Sequence, residues 1–225
     1  MIHELSATLK ECDSCKSNSA SLDSACEKCM IINTALSRYA QSNIPLSYWK
    51  LEMSRDFKGD PTLLNYYNKV TSDFDKAYSD GVCVCFAGPH GVGKTFACTN
   101  ILKRAVERGF SSLYVTVNDI VNHLIYNDSS NKMSARNELL MVDFLVIDEF
   151  DPRFMPTASS SDLFGRIMED VFRCRAQNKL PIFMCTNSPN IAGSFEGSIG
   201  LSLSSLMNYV SMIPVLGKDF RKEGR

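Results

Sequence analysis

The sequence has no apolar run long enough to cross a membrane, which takes about 18 consecutive residues. Its most apolar stretch, Leu139 to Ile147, is interrupted by Asp143. The first residues also lack the basic segment and apolar core of a secretion signal. We therefore expect a soluble, unsecreted protein with no membrane partner.

An excess of charge of either sign is also missing. The 24 Lys and Arg residues nearly balance the 25 Asp and Glu residues, so the net charge is −1. This balance excludes a globally basic protein that coats nucleic acid, and any contact with DNA must use a local patch. The length of 225 residues allows one full-sized domain with a small appendage, but not two large domains.

Cysteine, in contrast, is frequent, with nine in the chain. Five of them fall in apolar segments typical of buried free thiols, which favours a reducing compartment: Cys83, Cys85, Cys98, Cys174 and Cys185.

The other four cysteines form the pattern Cys12-x2-Cys15-x10-Cys26-x2-Cys29. Each pair can direct two thiolates to one point, as a tetrahedral Zn²⁺ site requires. Residues 1–30 contain few large apolar side chains, so a structural zinc ion would supply folding energy that this segment lacks. Two disulfides or an iron–sulfur cluster are the alternative interpretations.

From Gly81 onward, short apolar runs alternate with helical stretches, a pattern that predicts an α/β fold with a parallel sheet sandwiched by helices. The predicted strands are Val82–Ala87, Ser112–Val117, Phe144–Ile147, Ile182–Thr186 and Val210–Val215. The predicted helices are Lys94–Arg108, a less regular Asp119–Met141, Leu163–Gln177 and Leu203–Tyr209. Two serine-rich stretches, Asp128–Ser130 and Thr157–Asp162, are predicted to be surface loops.

A glycine-rich motif lies between the first of these strands and the helix that follows. It reads Gly88-Pro89-His90-Gly91-Val92-Gly93-Lys94-Thr95. Such a loop presents backbone N–H groups and a helix N-terminus to phosphate. We expect Lys94 to contact the β- and γ-phosphates of ATP and Thr95 to ligate Mg²⁺.

Polar residues follow two further predicted strands. Asp148 and Glu149 end the run Phe144–Ile147, and Asn187 follows Thr186. Asp148 is predicted to hold Mg²⁺ and Glu149 to act as the general base for the attacking water. Asn187 can hydrogen-bond both the γ-phosphate and that water, and so act as a sensor.

With these motifs the sequence resembles the AAA+ helicase loaders of the DnaC/DnaI type and their IstB-like relatives, over residues 43–221. Matching segments besides the phosphate loop and the Asp148–Glu149 pair are Asn43–Pro45, Val117–Val121, Asn178–Asn187 and Val215–Arg221. The resemblance implies an AAA+ P-loop fold of the ASCE group. Together with the cysteine pattern and the break at Asn43–Pro45, the sequence divides into a zinc-binding module with a helix (1–42), a linker packing on the ATPase (43–80) and the ATPase domain (81–225).

The resemblance also implies a function and its partners. The chain would deliver a hexameric replicative helicase to single-stranded DNA under ATP control. Its N-terminal module would bind the helicase, and several copies of the chain would associate with one another on it. Arg221 would contact the nucleotide, and Ile44-Pro45 with Tyr48 would line the adenine pocket. The expected location is the cytoplasm of a bacterial or phage-infected cell.

The sequence departs from that family where an arginine finger is usual, because Leu203–Tyr209 contains no arginine. Hydrolysis would therefore be weak or stimulated by a partner. Four other arginines are candidates, although each also fits a solvated surface charge: Arg153, Arg166, Arg173 and Arg175. For DNA contact the candidates are Lys132 and Arg136, although each of these also fits a solvated surface charge.

Other functions remain open at this point. An IstB-like transposition helper ATPase predicts a transposase partner and does not need the cysteine pairs. A zinc-containing adaptor that binds ATP and hydrolyses it little is a further alternative. The absence of an arginine finger favours it, whereas the presence of Glu149 and Asn187 argues against it. A small-molecule kinase predicts a lid with paired arginines, for which no segment after Asp148 is suited.

Overall fold

The computed structural model describes residues 27–126, 129–154, 156, 158–188 and 209–220. Its helices are α1 (Glu27–Gln41), α2 (Met53–Asp56), α3 (Pro61–Ser72), α4 (Phe74–Ser79), α5 (Lys94–Glu107), α6 (Val117–Val121), α7 (Ser129–Met141) and α8 (Ala158–Gln177). Single turns of 3₁₀-helix occupy Leu46–Tyr48 and Pro152–Phe154, and a π-helical turn occupies Asn122–Tyr126. The strands are β1 (Cys83–Ala87), β2 (Ser112–Thr116), β3 (Phe144–Asp148), β4 (Ile182–Thr186) and β5 (Ser211–Pro214).

Within the described residues the strands form one parallel sheet of five, in the order β2-β3-β4-β1-β5. Strand β4 lies between β1, which leads into the glycine-rich loop, and β3, which ends in Asp148. Because parallel strands point the same way, the carboxyl ends of β1, β3 and β4 meet at one edge of the sheet. Ligands of open α/β sheets bind at that edge.

Side chains alternate between the two faces of the sheet and form two hydrophobic clusters. On β1, Val84 and Phe86 belong to one cluster and Cys85 to the other. The first cluster is covered by α1 to α5 and the second by α6 to α8. The predicted parallel sheet sandwiched by helices is therefore confirmed.

Residues 43–80 contribute large side chains to the first cluster. Ile44, Trp49, Leu63 and Phe74 are all buried there, against strand residues such as Phe144. The chain before this segment also covers the open edge of β2, since the amide N–H of Tyr114 donates to the carbonyl of Ser42 at 2.9 Å. Pairing of this kind satisfies edge groups that would otherwise be open to another strand.

The predicted strands and helices agree with the structure to within about two residues at most ends, the usual spread of helix and strand limits. The serine-rich segments are the exception: the loop predictions for Asp128–Ser130 and Thr157–Asp162 are wrong, because α7 begins at Ser129 and α8 at Ala158. Serine is favoured at helix starts as well as in loops, so composition alone does not separate the two. Of the predicted helix Leu203–Tyr209, only Tyr209 lies within the described residues.

In the part of the chain that the structure describes, no helix combines the length and apolarity needed to span a bilayer.

Candidate nucleotide-binding site

The glycine-rich loop connects β1 to α5 at the carboxyl edge of the sheet. Gly91 and Gly93 have φ angles of +78° and +98°. These angles lie in the region that favours glycine, and Gly93 stands directly before α5, where it lets the backbone turn into the first helical residue, Lys94. The helix N-terminus therefore opens onto the loop, as phosphate binding requires.

The side chain of Lys94 lies inside this loop and is only 6% exposed. Its ammonium donates hydrogen bonds to the carbonyl oxygens of Gly88 (2.8 Å) and Pro89 (2.6 Å). A third bond, of 3.0 Å, goes to Oδ1 of Asn187. The structure therefore brings together the predicted phosphate-binding lysine and the predicted sensor, from positions 93 residues apart.

Asp148 ends β3 beside the loop and is 5% exposed. Its Oδ2 accepts a 2.7 Å hydrogen bond from the hydroxyl of Tyr114, and its Oδ1 accepts one of 2.8 Å from the amide of Glu149. Each carboxylate oxygen keeps a further lone pair. The carboxylate is thus held in one orientation and can still accept bonds from a metal ion or its water.

Glu149 is exposed and has a φ angle of +54°, which is uncommon for a residue with a Cβ. The turn is held from both sides: the amide of Phe150 donates to the carbonyl of Cys185 at 2.8 Å, and that of Asp151 to the carbonyl of Glu149 at 2.7 Å. Partial desolvation of its carboxyl group beside the cavity, and after it the charge of the neighbouring Asp148 carboxylate, raise the pKa of Glu149. Backbone strain and a raised carboxyl pKa are both typical of functional positions.

These groups line one cavity of about 400 Å³. Lys94, Thr95, Asp148, Glu149 and Asn187 all contribute to its wall. The hydroxyl of Thr95 and the carboxylates are hard oxygen ligands, the type that Mg²⁺ prefers, and few are needed because Mg²⁺ keeps waters and binds phosphate oxygens. The residues present therefore fit a Mg²⁺–nucleotide complex. The described part of the chain has no group of three or more His, Cys, Asp or Glu side chains placed to hold a metal ion by themselves.

Aromatic rings form another part of the cavity wall, and the sequence did not predict most of them there. Tyr48 was expected there, whereas the others were not: Phe57, Phe96, Phe154 and Phe220. Ile44, also expected near the base, is instead 3% exposed in the core, where its carbonyl accepts the indole N–H of Trp49. An aromatic residue flanked by polar residues, as in Arg55-Asp56-Phe57-Lys58, was the feature of the sequence that could have indicated a ring at the cavity wall.

Arg175 is not a surface charge and cannot reach a neighbouring molecule. It is fully buried and donates hydrogen bonds to the carbonyls of Leu139, Val142, Asp143 and Pro181. Desolvation lowers its pKa to about 10, so that it remains a cation at neutral pH. Its candidacy as an arginine finger is therefore wrong.

The remaining candidate cations lie on the surface. Arg153 pairs with Asp151 next to the cavity, and Arg173 pairs with Glu169 on α8, where Arg166 is exposed. Of the DNA-contact candidates, Lys132 donates to the carbonyl of Ile125 at 3.0 Å, and Arg136 pairs with Asp170.

Several predicted site residues lie outside the described residues. These are Cys12, Cys15 and Cys26 of the predicted zinc site, and Arg221. For Cys29 the structure describes only the backbone, in α1.

The profile of the family "IstB-like ATP binding protein" matches residues 76–177. An insertion-sequence protein described as ATP-binding, from IS5376 of Geobacillus stearothermophilus, is 29% identical over 143 residues, which cover 61% of this chain and 55% of that protein. The replicative helicase loader DnaI of Bacillus subtilis is 28% identical over 134 residues, covering 57% of this chain and 41% of DnaI.

The chain thus spans about half the length of the curated relatives it matches. Among solved structures, the crystal structure of DnaI superimposes with a TM-score of 0.63 at 17% identity, over 76% of this chain and 94% of that chain. At this identity the likeness shows the fold, which is that of an AAA+ P-loop domain. Residues 76–177 are therefore similar to IstB-like ATP-binding proteins, and the chain is homologous to the helicase loader DnaI and to the IS5376 protein.

Proposed function

We propose that this protein is an ATP hydrolase that loads a replicative helicase onto single-stranded DNA under the control of ATP. The observation that carries the ATPase part is the convergence of Lys94, Asp148, Glu149 and Asn187 on one cavity. A protein that only held ATP as a structural part would need the loop and Lys94, but neither a carboxylate at position 149 nor an amide at position 187.

Binding of the nucleotide uses the loop and its lysine. Residues Gly88–Thr95 present their amides to the phosphates, and Lys94 exchanges a carbonyl acceptor for phosphate oxygen. Thr95 and Asp148 would hold Mg²⁺, with Asp148 acting through water. When bound, Mg²⁺ would supply positive charge that neutralises the phosphates.

Hydrolysis requires a positioned water and a proton acceptor. Glu149 takes the proton from the attacking water. The pKa of its carboxyl group is raised, which makes the carboxylate a stronger proton acceptor. Asn187 donates from its amide nitrogen to the γ-phosphate, while Oδ1 accepts from the water or from Lys94. Arg221 adds a cation on the nucleotide from the C-terminal end of the chain.

The loader role rests on the homology to DnaI and on the cysteine pattern. We assign residues 1–42 to a zinc-binding module that grips the hexameric helicase, 43–80 to a linker packed on the ATPase, and 81–225 to the ATPase domain. A closed four-sulfur zinc site has no open position for chemistry, so its part here is to shape a docking module. Single-stranded DNA is the second partner, and several copies act together on the helicase.

A second candidate function is that of a transposition helper ATPase. The observation that favours it is the match to the IstB-like family and to the IS5376 protein, whose identity is similar to that of DnaI. This function predicts a transposase partner. It leaves the four N-terminal cysteines without a purpose, which is why we place it second.

The two functions are separated by the partner that binds. The full chain is mixed with the replicative helicase of its host, with Mg²⁺ and either ATP, ADP or no nucleotide, and resolved by size-exclusion chromatography. We expect a complex with the wild type that is lost with Cys12→Ser and weakened with Lys94→Ala. Cys174→Ser, the same change on α8, serves as control and should retain the complex.

No complex of the wild-type chain with the helicase under any nucleotide condition would contradict the loader function. A complex with a transposase in the same assay would then establish the second candidate.

A further inference from the structure

The C-terminal segment 215–220 runs along one side of the glycine-rich loop. The amide of Val215 donates to the carbonyl of Ala87 at 2.7 Å, just before the loop begins. Gly88 lies so close to the carbonyl of Val215 that a Cβ at position 88 would overlap it. Further along, the amide of Phe220 donates to the carbonyl of Gly91 at 3.2 Å. The segment therefore follows the loop from its first glycine to its second.

A second segment, Phe57–Asp60, lies against the later part of the loop. The ring of Phe57 is so close to Gly93 that a Cβ there would lie 2.6 Å from ring carbon Cε2. The amide of Asp60 donates to the carbonyl of Val92 at 3.2 Å. The loop is thus packed between two segments that are far apart in the chain, as the 156-residue separation of Asp60 and Leu216 shows.

Asp60 joins these two segments directly. Its Oδ1 accepts a 2.6 Å hydrogen bond from the amide of Thr62 and so caps the start of α3. Its Oδ2 accepts a 2.8 Å bond from the amide of Leu216. The residue is only 7% exposed, so water competes little for either bond.

A helix cap alone does not require this arrangement. Asparagine and serine cap helices about as well as aspartate, and either needs only one oxygen for that purpose. The second oxygen of Asp60 is used for the C-terminal segment, and its backbone amide is used for the loop. One residue therefore connects α3, the phosphate loop and the segment that supplies Phe220 to the cavity wall.

We propose that Asp60 positions segment 215–220 against the phosphate loop, so that a nucleotide in the loop changes the stability of this segment. The coupling rests on the proposed nucleotide binding. Phosphate bound by Gly88–Lys94 fixes the loop backbone, and the carbonyls of Gly91 and Val92 that hold Phe220 and Asp60 become fixed with it. The stability of segment 215–220 would then differ between the nucleotide-bound and the nucleotide-free protein.

Hydrogen–deuterium exchange of the full chain, read by mass spectrometry, tests this coupling. Asp60→Asn keeps one carbonyl oxygen for Thr62, but its amide nitrogen cannot accept a bond from Leu216. Asp60→Ser keeps the cap with one short oxygen. Asp73→Asn is the matched control, because Asp73 caps α4 through Lys76 and its replacement removes the same charge away from the loop.

Without nucleotide, we expect both Asp60 variants to exchange the amides of 216–220 about tenfold faster than the wild type, since one buried hydrogen bond is lost. Protection of α3 should be unchanged. Adding a non-hydrolysable ATP analogue with Mg²⁺ should slow exchange of the segment in the wild type and in Asp73→Asn. The slowing should be smaller in the Asp60 variants, in which only the bond from Phe220 to Gly91 still joins the segment to the loop.

Unchanged exchange of the segment in both Asp60 variants without nucleotide would overturn the positioning role. Wild-type protein that binds the analogue, measured by calorimetry, with no change of exchange at 216–220 would overturn the coupling. Absence of binding by the wild type would overturn the proposed ATP function and the coupling with it, whereas the nucleotide-free comparison would still decide the role of Asp60.

Discussion

The hydroxyl of Tyr114 on β2 donates a 2.7 Å hydrogen bond to Oδ2 of Asp148 at the end of the neighbouring strand β3. Burial and the nearby carboxylate both raise the pKa of Tyr114, so the phenol stays protonated and remains a donor at any physiological pH. With the Glu149 amide on the other oxygen, the bond leaves Asp148 one orientation, toward the cavity. Strand order brings these two residues together, because β2 and β3 are adjacent.

Replacing Tyr114 by Phe should raise the Mg²⁺ concentration needed for half-maximal ATP binding several-fold. The ring and its packing remain, but Asp148 loses the donor that orients it, at a cost of about 1 kcal/mol or more. The measurement is binding of a fluorescent ATP analogue along a Mg²⁺ titration, with an EDTA arm in which the two proteins should bind alike.

Tyr39→Phe is the matched control, since Tyr39 also donates to a carboxylate, that of Glu107, away from the cavity. Its Mg²⁺ titration should follow the wild type. Superimposable titrations for Tyr114→Phe and wild type would show that the bond does not position Asp148.

Replacing Lys94 by Ala should weaken ATP binding by at least about tenfold, because the loop loses the buried cation that we propose contacts phosphate. Lys69→Ala, on an exposed face of α3, removes the same charge and should bind as the wild type does. Calorimetry with ATP and Mg²⁺ measures both. Equal affinities of Lys94→Ala and wild type would exclude Lys94 from phosphate binding.

Replacing Glu149 by Gln should lower the rate of phosphate release by about 100-fold or more, since the proton acceptor for water is lost. ATP affinity should be retained, because Lys94 and the loop are intact. Steady-state phosphate release and equilibrium binding separate the two effects, and Glu169→Gln on α8 is the control. Hydrolysis of ATP by the Glu149→Gln variant at the wild-type rate would remove Glu149 from the mechanism.

Replacing Arg175 by Ala should destabilise the protein by about 3 kcal/mol or more, because four carbonyl acceptors each lose one buried donor. Arg166→Ala, on the exposed face of the same helix, should change stability by less than about 0.5 kcal/mol. Urea unfolding followed by circular dichroism gives both values. Equal unfolding midpoints for the two variants would contradict the structural role of Arg175.

The N-terminal cysteines should bind one Zn²⁺ per chain, measured by elemental analysis of protein purified without added metal. Cys12→Ser should lose the metal, whereas Cys174→Ser should keep it, because a tetrahedral site needs all four thiolates. Metal-free wild-type protein in which these cysteines form two disulfides would contradict the zinc site and support the disulfide interpretation. Wild-type protein that carries iron and sulfide would support the iron–sulfur interpretation.

The parts of the site that follow directly after strands were predictable from sequence. Asp148 and Asn187 each stand at the end of an apolar run, Lys94 belongs to the glycine-rich motif that follows another, and parallel strands place such positions at one edge. Contacts that depend on which strands are neighbours could not be predicted from the sequence. Nothing near Tyr114 in the sequence, for example, indicates that Asp148 is its partner. Asp60 shows the same limit, since its N-cap role is local and readable, whereas its bond to Leu216 spans 156 residues. The burial of Arg175 was likewise invisible, because its four acceptors are backbone carbonyls that carry no sequence signal.

The most direct test of the central claim is transfer of the host replicative helicase onto a closed circle of single-stranded DNA, which a preformed ring cannot thread. The bound helicase is quantified after the circles are separated by gel filtration. We predict that helicase is retained on the circles only with this protein and ATP, and that Lys94→Ala removes the effect. Helicase retention that is the same with and without the wild-type protein, under conditions where it binds ATP, would contradict the loader function.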